Sequence, residues 1–392
     1  MSDIVIAGAM RTAIGSFQGQ FDGVPATQLG STAIAAALAQ AGIAADAVEE
    51  VLMGCVLPAN LGQAPARQAA LGAGLARSAA CTTLNKVCGS GMKAIMMAHD
   101  AIRAGSAQVV VAGGMESMTN APYLLGKARG GYRMGNGEIV DHMMWDGLTN
   151  PYDKQAMGVF GEQCVEKFGF TREEQDAFAT ASVERAMKAI ADGRFAAEIA
   201  PVKVTTRKGE VEVATDEEPA RCDLGKVASL RPAFKRDGGT ITAASSSKIS
   251  DGAAATVVMS ADAASRLGAR PLARIVAHAS HAQEPAWFTT APVTAIGKVL
   301  ERAGWSVGDV DLFEVNEAFA CVAMAPMREL GIDHGRLNIH GGACALGHPI
   351  GASGARIVVT LLHALIATGG RRGVASLCIG GGEATALAIE LA

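Results

Sequence analysis

The sequence repeats itself across its midpoint, and this constrains the fold more than any other feature. Residues 27–56, TQLGSTAIAAALAQAGIAADAVEEVLMGCV, and 291–319, APVTAIGKVLERAGWSVGDVDLFEVNEAF, both read as a helix, an Ala-Gly stop, a short polar turn and an apolar strand. Ala41-Gly42 stands 262 positions before Ala303-Gly304, and Asp46 stands 263 before Asp309. Farther on, CGSGMKA at 88–94 matches IGASGAR at 350–356, with Gly91 and Gly354 again 263 apart. Each block runs into an apolar helix, a glycine and a strand, Val109–Met115 in one copy and 373–382 in the other. DIVIAGA opens the first copy and ARIVAHA at 273–279 the second. An offset that holds across separated blocks predicts two pseudo-symmetric α/β halves, with mainly parallel sheets because strands alternate with helices. Two ordinary α/β segments sharing an Ala/Gly bias would not keep the register.

Between the copies the texture changes. Residues 121–244 hold most of the charge runs, several Gly-rich turns and one helix opened by the capping box Thr171-Arg-Glu-Glu174. The segment reads as an inserted lobe. ITAASSSKIS at 241–250 suits a loop that wraps a ligand or a plain linker, and ATVVMS at 255–260 returns as a strand that completes the first half. The domain reading is therefore 1–120 completed by 245–270, the lobe 121–244, and 271–392. A chain of 392 residues accommodates two to three domains.

Composition closes several alternatives. Thirty-four Lys and Arg against 38 Asp and Glu leave a net charge of −4, which argues against an extended nucleic-acid surface. At 49% hydrophobic and 18% charged residues the chain can build large cores. The start, MSDIVIAGAMRTA, has no basic region followed by an apolar run and a cleavage site, and the longest apolar stretches look too short or too interrupted to cross a membrane. A soluble cytoplasmic protein is the expectation. Eight cysteines lie scattered without a C-x-x-C pair, so neither a disulfide framework nor a zinc site is expected.

One of those cysteines stands apart. Cys88, in NKVCGSGMKA, falls where a strand should turn into a helix, and the helix N-terminus would favour its thiolate. His348, in GACALGHPIGASG, occupies the corresponding turn of the second copy, so a two-fold arrangement would set thiol and imidazole across one cleft. The same stretch mimics phosphate-loop spacing, but His348-Pro349 stands where Lys and Ser/Thr are needed, which excludes a nucleotide loop. Cys378-Ile-Gly380-Gly-Gly ends the last strand of the second copy, where free peptide N–H groups could meet an oxyanion. Asn316, after the strand LFEV, could donate into the cleft or merely form an Asx turn or helix cap.

VCGSG at Cys88, NEAFA at Asn316, GHPIGASGAR at His348 and CIGGG at Cys378, in this order over the whole length, resemble the thiolases. The closer resemblance is to the short-chain acetyl-CoA acetyltransferases. It implies a duplicated five-layered αβαβα fold with an inserted coenzyme A-binding lobe, usually a homotetramer, and no cofactor or metal, since coenzyme A thioesters are the substrates. It implies Cys88 as the acyl-accepting nucleophile, His348 as its base, and an oxyanion hole from His348 with a water held by Asn316. Backbone N–H groups of Cys88 and Gly380 would form a second hole, and Cys378 would be the general acid/base. Positions matching the family's substrate contacts are Leu148, Met157, Phe234, Ala243, Ser247, Ala318 and Phe319, with Arg221 placed a few residues out of the family spacing.

Two departures bear on substrate. The family's Gly-x-His-Met-Gly is here KQAMG at 154–158, so Ala156 replaces a histidine, and SSSKIS at 245–250 replaces Asn-Ala-Ser-Gly-Leu-Asn. The resemblance implies a reversible Claisen condensation of two acetyl-CoA, the alternative being a 3-oxoacyl-CoA thiolase for longer or functionalised chains. A ketosynthase lacks a second catalytic cysteine such as Cys378, and a silent acyl-CoA carrier has no need of both thiols, His348 and Asn316. The basic segment 127–133 resembles the family's tetramerisation loop.

Overall fold

The computed structural model describes residues 2–207 and 209–392. In chain order, the elements that position the site are strand β1 (Ile4–Thr12), helix α1 (Ala26–Ala41), β2 (Glu50–Gly54), β3 (Ala80–Leu84), α2 (Ser90–Ala104) and β4 (Val109–Ser117). In the lobe come α3 (Met157–Phe168) and α4 (Arg172–Ala191). Then follow β5 (Ser250–Ser260), β6 (Ala273–Ala282), α5 (Ala291–Ala303), β7 (Leu312–Val315), α6 (Ala320–Leu330), α7 (Ile350–Thr368), β8 (Arg372–Ile379) and β9 (Glu383–Leu391).

Each half builds the same four-stranded unit, to which the first adds β3 at the edge. In the first, the order is β3-β2-β4-β5-β1; in the second it is β7-β8-β9-β6, and β1 meets β6 through Val5↔Arg274 and Ile6↔Ala273. The sheets are mixed, not mainly parallel: β2 pairs parallel with β3 and β4, and β7 with β8, whereas β4-β5-β1 and β8-β9-β6 are antiparallel. The physical reason is the connection. The chain leaves β4 at Ser117 and re-enters beside it, Asp251 opposite Ser117, so residues 118–249 form the loop of a hairpin. In the second half the matching hairpin, Ile379 opposite Glu383, is closed by Gly380–Gly382 alone, with φ of 94° at Gly381 and 92° at Gly382, a left-handed turn that glycine makes without strain.

Strand alternation sorts the apolar side chains into three cores. Val109 and Val111 face outward onto α1, while Val110 and Ala112 face inward with Ile4 and Ile6. The inward core packs α2 and α7 between both sheets, and the second outer core lies under α5 and α6. The layers are thus helix, sheet, helix pair, sheet, helix. α2 and α7 cross at the glycines that the duplication pairs: a Cβ on Gly91 would stand 2.7 Å from the Ala355 nitrogen, and one on Gly354 would strike the Met92 backbone. The repeated stop glycines Gly42 and Gly304 cap α1 and α5 with φ of 68° and 69°.

The lobe has no separate core among the described residues. Its Val183, Ala186 and Phe195 join the first outer core, and Phe160, Cys164 and Phe178 join the second. Buried Arg11 on β1 ties it down, with Nη1 and Nη2 at 2.8 and 2.9 Å from Asp216 and Nε at 2.5 Å from Glu198. The α4 capping box forms as read from the sequence. α7, at 19 residues, is the one described helix long and apolar enough to cross a membrane, but it fills the interior between the sheets. The apolar stretches are therefore longer than the sequence reading held.

Candidate active site

The turn between β3 and α2 lifts Cys88 on a constrained backbone. Val87, a β-branched residue, has φ of 46°, a conformation that costs about 1–3 kcal/mol. Neighbours hold it there: Asn85 Oδ1 accepts the Val87 N–H at 2.8 Å, and Ser90 Oγ accepts the Lys86 N–H at 2.8 Å and donates to the Val87 carbonyl at 2.6 Å. Gly89 follows because a side chain there would run into Ile379. Cys88 is left partly exposed. Burial of its sulfur pushes the thiol up to about 11, opposed by the N–H groups of Gly380 and of Cys88 itself. The expected thiolate stabilisation at the helix start is therefore outweighed: desolvation exceeds what the two N–H groups return.

His348 comes from the matching turn, after Gly347 with φ of 107° and just ahead of α7. Its N–H donates to the Lys248 carbonyl at 3.0 Å. Ser353 Oγ donates to the Pro349 carbonyl at 2.9 Å, so at 2.5 Å from His348 Nδ1 it accepts, and Nδ1 carries the ring proton. Nε2 is thereby left with its lone pair, buried and without a hydrogen-bond partner among the described residues. Burial, and then the Arg356 charge, push this imidazole down to about 3. Asn316, fully buried, has Nδ2 3.5 Å from His348 Nδ1, and its Oδ1 is also unpartnered. It caps no helix, α6 beginning after Phe319.

Cys378 is fully buried at the end of β8, and its thiol is raised well above the ordinary range by burial first and then by the facing charge of Cys88. Each sulfur thus lies in the other's electrostatic reach, with the Gly380 N–H on Cys88. Cys378 and the Gly380 N–H thus gather on Cys88, and Asn316 on His348; Met157 borders both the cavity lined by Gly380 and the one lined by His348, and Cys88 packs on the cluster that holds Ile350.

Sequence reading missed the carboxylates that brace these turns. Glu116, at the end of β4, accepts the Val56, Leu57 and Gly351 N–H groups at 3.0, 3.1 and 2.8 Å, tying the first half to the start of α7, and burial raises it to about 7. Glu317 accepts from Ser182 Oγ, Asn338 Nδ2 and the Cys344 N–H at 2.7, 2.8 and 3.1 Å. Asn338, at φ 46°, also holds both backbone groups of Val315 beside Asn316. Glu317 sits inside NEAFA, so its type was visible; Asn338 carried no signal.

Three cavities adjoin the site. One of about 240 Å³ is walled by Leu148, Met157, Phe234, Ser247, Phe319 and His348. A neighbouring one of about 220 Å³ takes Ala243 and Arg221 with Lys248 and Cys344, although the Arg221 guanidinium is paired with Glu217 at 3.2 Å. Ala318 lines neither and acts through its carbonyl, which accepts the Ser247 N–H at 3.0 Å. The Ser-rich loop is held rigid: Lys248 Nζ reaches the carbonyls of Ala243, Ser246 and Cys344 at 2.5, 2.9 and 3.0 Å. The third cavity, about 410 Å³, lies on the far side of Met157 and is lined by Val87, Trp145, Tyr152, Lys154, Gly380 and Glu383.

The model of the thiolase N-terminal domain matches residues 4–262, and that of the thiolase C-terminal domain matches 269–391. The chain is 51% identical over 391 residues to an acetyl-CoA acetyltransferase of Pseudomonas aeruginosa, covering 99% of both chains. It is 52% identical over 390 residues to acetyl-CoA acetyltransferase 1 of Arabidopsis thaliana, covering 99% of this chain and 94% of the other. Among solved structures, an acetyl-CoA acetyltransferase from Bacillus anthracis superposes with a TM-score of 0.97 at 41% identity, covering 100% of this chain and 99% of that one. A thiolase from Ascaris suum in complex with coenzyme A gives 0.94 at 42%, covering 100% of each. With a doubled α/β core, a thiol and an imidazole on matching turns, and these full-length matches, the chain belongs to the thiolase family.

Proposed function

We propose that this chain is an acetyl-CoA C-acetyltransferase, an acyltransferase that joins two acetyl-CoA reversibly into acetoacetyl-CoA and coenzyme A. The observation that carries the proposal is the buried, unpartnered Nε2 of a neutral His348, on the turn that the duplication matches with the turn of Cys88.

Cys88 passes its proton to His348 Nε2 as the sulfur attacks the thioester carbon, and the oxyanion is met by the N–H groups of Cys88 and Gly380. Collapse expels coenzyme A thiolate, which takes the Cys378 proton. Cys378, now the thiolate, removes an α-proton from a second acetyl-CoA, whose enolate oxygen meets the Nε2–H of His348 and a water on Asn316. The new carbon–carbon bond forms at the acyl carbon, Cys88 sulfur leaves and regains its proton from His348. Every proton is returned. A site this buried suits the scheme, because both thiols rest neutral and charge develops only where donors already point.

The 240 Å³ cavity leads to His348 and fits the pantetheine arm, with the lobe supplying Leu148, Met157 and Phe234 and the 220 Å³ cavity with Arg221 receiving the nucleotide end. That Leu148, Met157 and Phe234 of this wall all fall within 121–244, with Ser247 and Phe319 completing it, supports the reading of that segment as the substrate lobe. Exposed Tyr123, Leu125, Met134 and Ile139, flanking the 127–133 loop, support a homotetramer.

The test is incubation with acetyl-CoA followed by peptide mass spectrometry. An acetyl thioester on Cys88, absent in Cys88→Ala, is expected; an adduct on another cysteine, or none, overturns the mechanism. One observation favours a second reading, a thiolase for longer 3-oxoacyl-CoA: the 410 Å³ cavity beside Val87 and Gly380 leaves room past the nucleophile. Comparing kcat/KM for acetoacetyl-CoA and longer 3-oxoacyl-CoAs separates the two.

A further inference from the structure

Away from the active site, three potential ligand atoms converge from the two halves. His99 and Asp100 lie near the end of α2, and His278 on β6. His278 Nε2 is 2.9 Å from Asp100 Oδ1 and 3.2 Å from His99 Nδ1, and His99 Nδ1 is 3.1 Å from the same Oδ1. Two N–H groups aimed at the shared Asp100 Oδ1 satisfy two sides of this triangle, but each is then turned about 60° from the 3.2 Å nitrogen–nitrogen side, which no proton bridges. A single cation serves all three. With sides near 3.1 Å, an ion at the ~2.1 Å metal–nitrogen distance sits about 1.1 Å above the triangle's plane, close to one face of an octahedron.

We propose that His99, Asp100 and His278 form a binding site for a first-row divalent transition-metal ion, with three positions left to water. Two imidazoles select zinc, cobalt or nickel over magnesium and calcium. Asp100 is exposed, which gives the ion a way in, while both imidazoles are largely covered and held edge to face at 4.9 Å between centroids. Lys93 acts electrostatically on His278, and Arg302 Nη1 donates to the His278 backbone carbonyl at 2.6 Å; these two cations oppose a bound positive ion. The ion would clamp α2, which begins beside Cys88, to the first strand of the second half, close to where β1 and β6 join the sheets through two residue pairs.

The experiment is titration of the full chain with Co²⁺. One equivalent is expected to give visible d–d absorption without thiolate charge-transfer bands, and to raise Tm by the mass-action amount. His278→Ala abolishes the absorption, and Asp100→Asn, a conservative change at an exposed position, weakens binding by at least about tenfold. Acetyl transfer by both metal-free variants stays at the wild-type level, reporting that they fold. Absorption that is absent, that survives His278→Ala, or that shows charge transfer removed by Cys88→Ala overturns the site.

Discussion

The two copies of one turn-and-helix unit have parted in burial, and their chemistry follows from that. α2 keeps a solvent-facing side with Met97 and Asp100 exposed, and Cys88 ahead of it is partly open. In α7 the first sixteen residues are all buried, and His348 ahead of it is 5% exposed. Burial moves a thiol up and an imidazole down, here to about 11 and about 3, so the duplicated halves supply a neutral acid and a neutral base across one axis. A repeat with identical turns would have placed like groups together. Divergence of the turn ahead of each helix makes the pair reactive.

The comparison is broken most completely by removing the open side. Cys88→Ala is expected to lower thiolysis of acetoacetyl-CoA by about 10⁴-fold or more, read in steady state. His348→Asn, on the closed side, should cost about 10²–10⁴-fold in kcat, with the acetyl adduct forming slowly in a single-turnover assay. The axis itself is tested by Gly354→Val and Gly91→Val. Each should destabilise by about 3 kcal/mol in denaturant unfolding, and the double variant by less than the sum, because both side chains enter one crossing.

Protonation sharpens the contrast. The folded pKa of His348 is lowered, so its contribution to stability is present above pH ~6.5 and is lost as pH falls toward 3; between pH 7 and 5 the wild type should lose about 2 kcal/mol relative to His348→Asn. Alkylation of Cys88 by iodoacetamide should keep accelerating past pH 9, since its folded pKa is raised; a plateau near pH 7 would restore the helix-start thiolate. The smallest effect is Ser353→Ala, which frees the imidazole tautomer and should reduce kcat by about tenfold, a fraction of the general-base contribution.

The offset of 263 was enough to pair Gly91 with Gly354 and to put Cys88 and His348, 260 apart, on corresponding turns, because a duplication carries contacts that local patterns do not. Strand positions such as 255–260 and 312–315 were legible from apolar runs. Sheet polarity was not: β5 returns antiparallel only because the lobe closes a hairpin, and nothing within 118–249 announces that its ends meet. Ser353 lies inside a motif that was read, yet its hold on Nδ1 is a matter of geometry. Val87 gives no sign of its left-handed φ, and Glu116 looks like any strand-end carboxylate until three N–H groups converge on it. His99 and His278 lie too far apart in sequence for the absence of C-x-x-C to bear on them.

The crossing of α2 and α7 has a consequence for tolerance to change. With a glycine on each helix at the point of contact, the separation of the two turns is set by close approach of the partner backbone, the Ala355 nitrogen against Gly91 and the Met92 nitrogen against Gly354. Remodelling of the 118–249 excursion can therefore retune which acyl chain is admitted while the spacing between attacking sulfur and receiving nitrogen stays as it was.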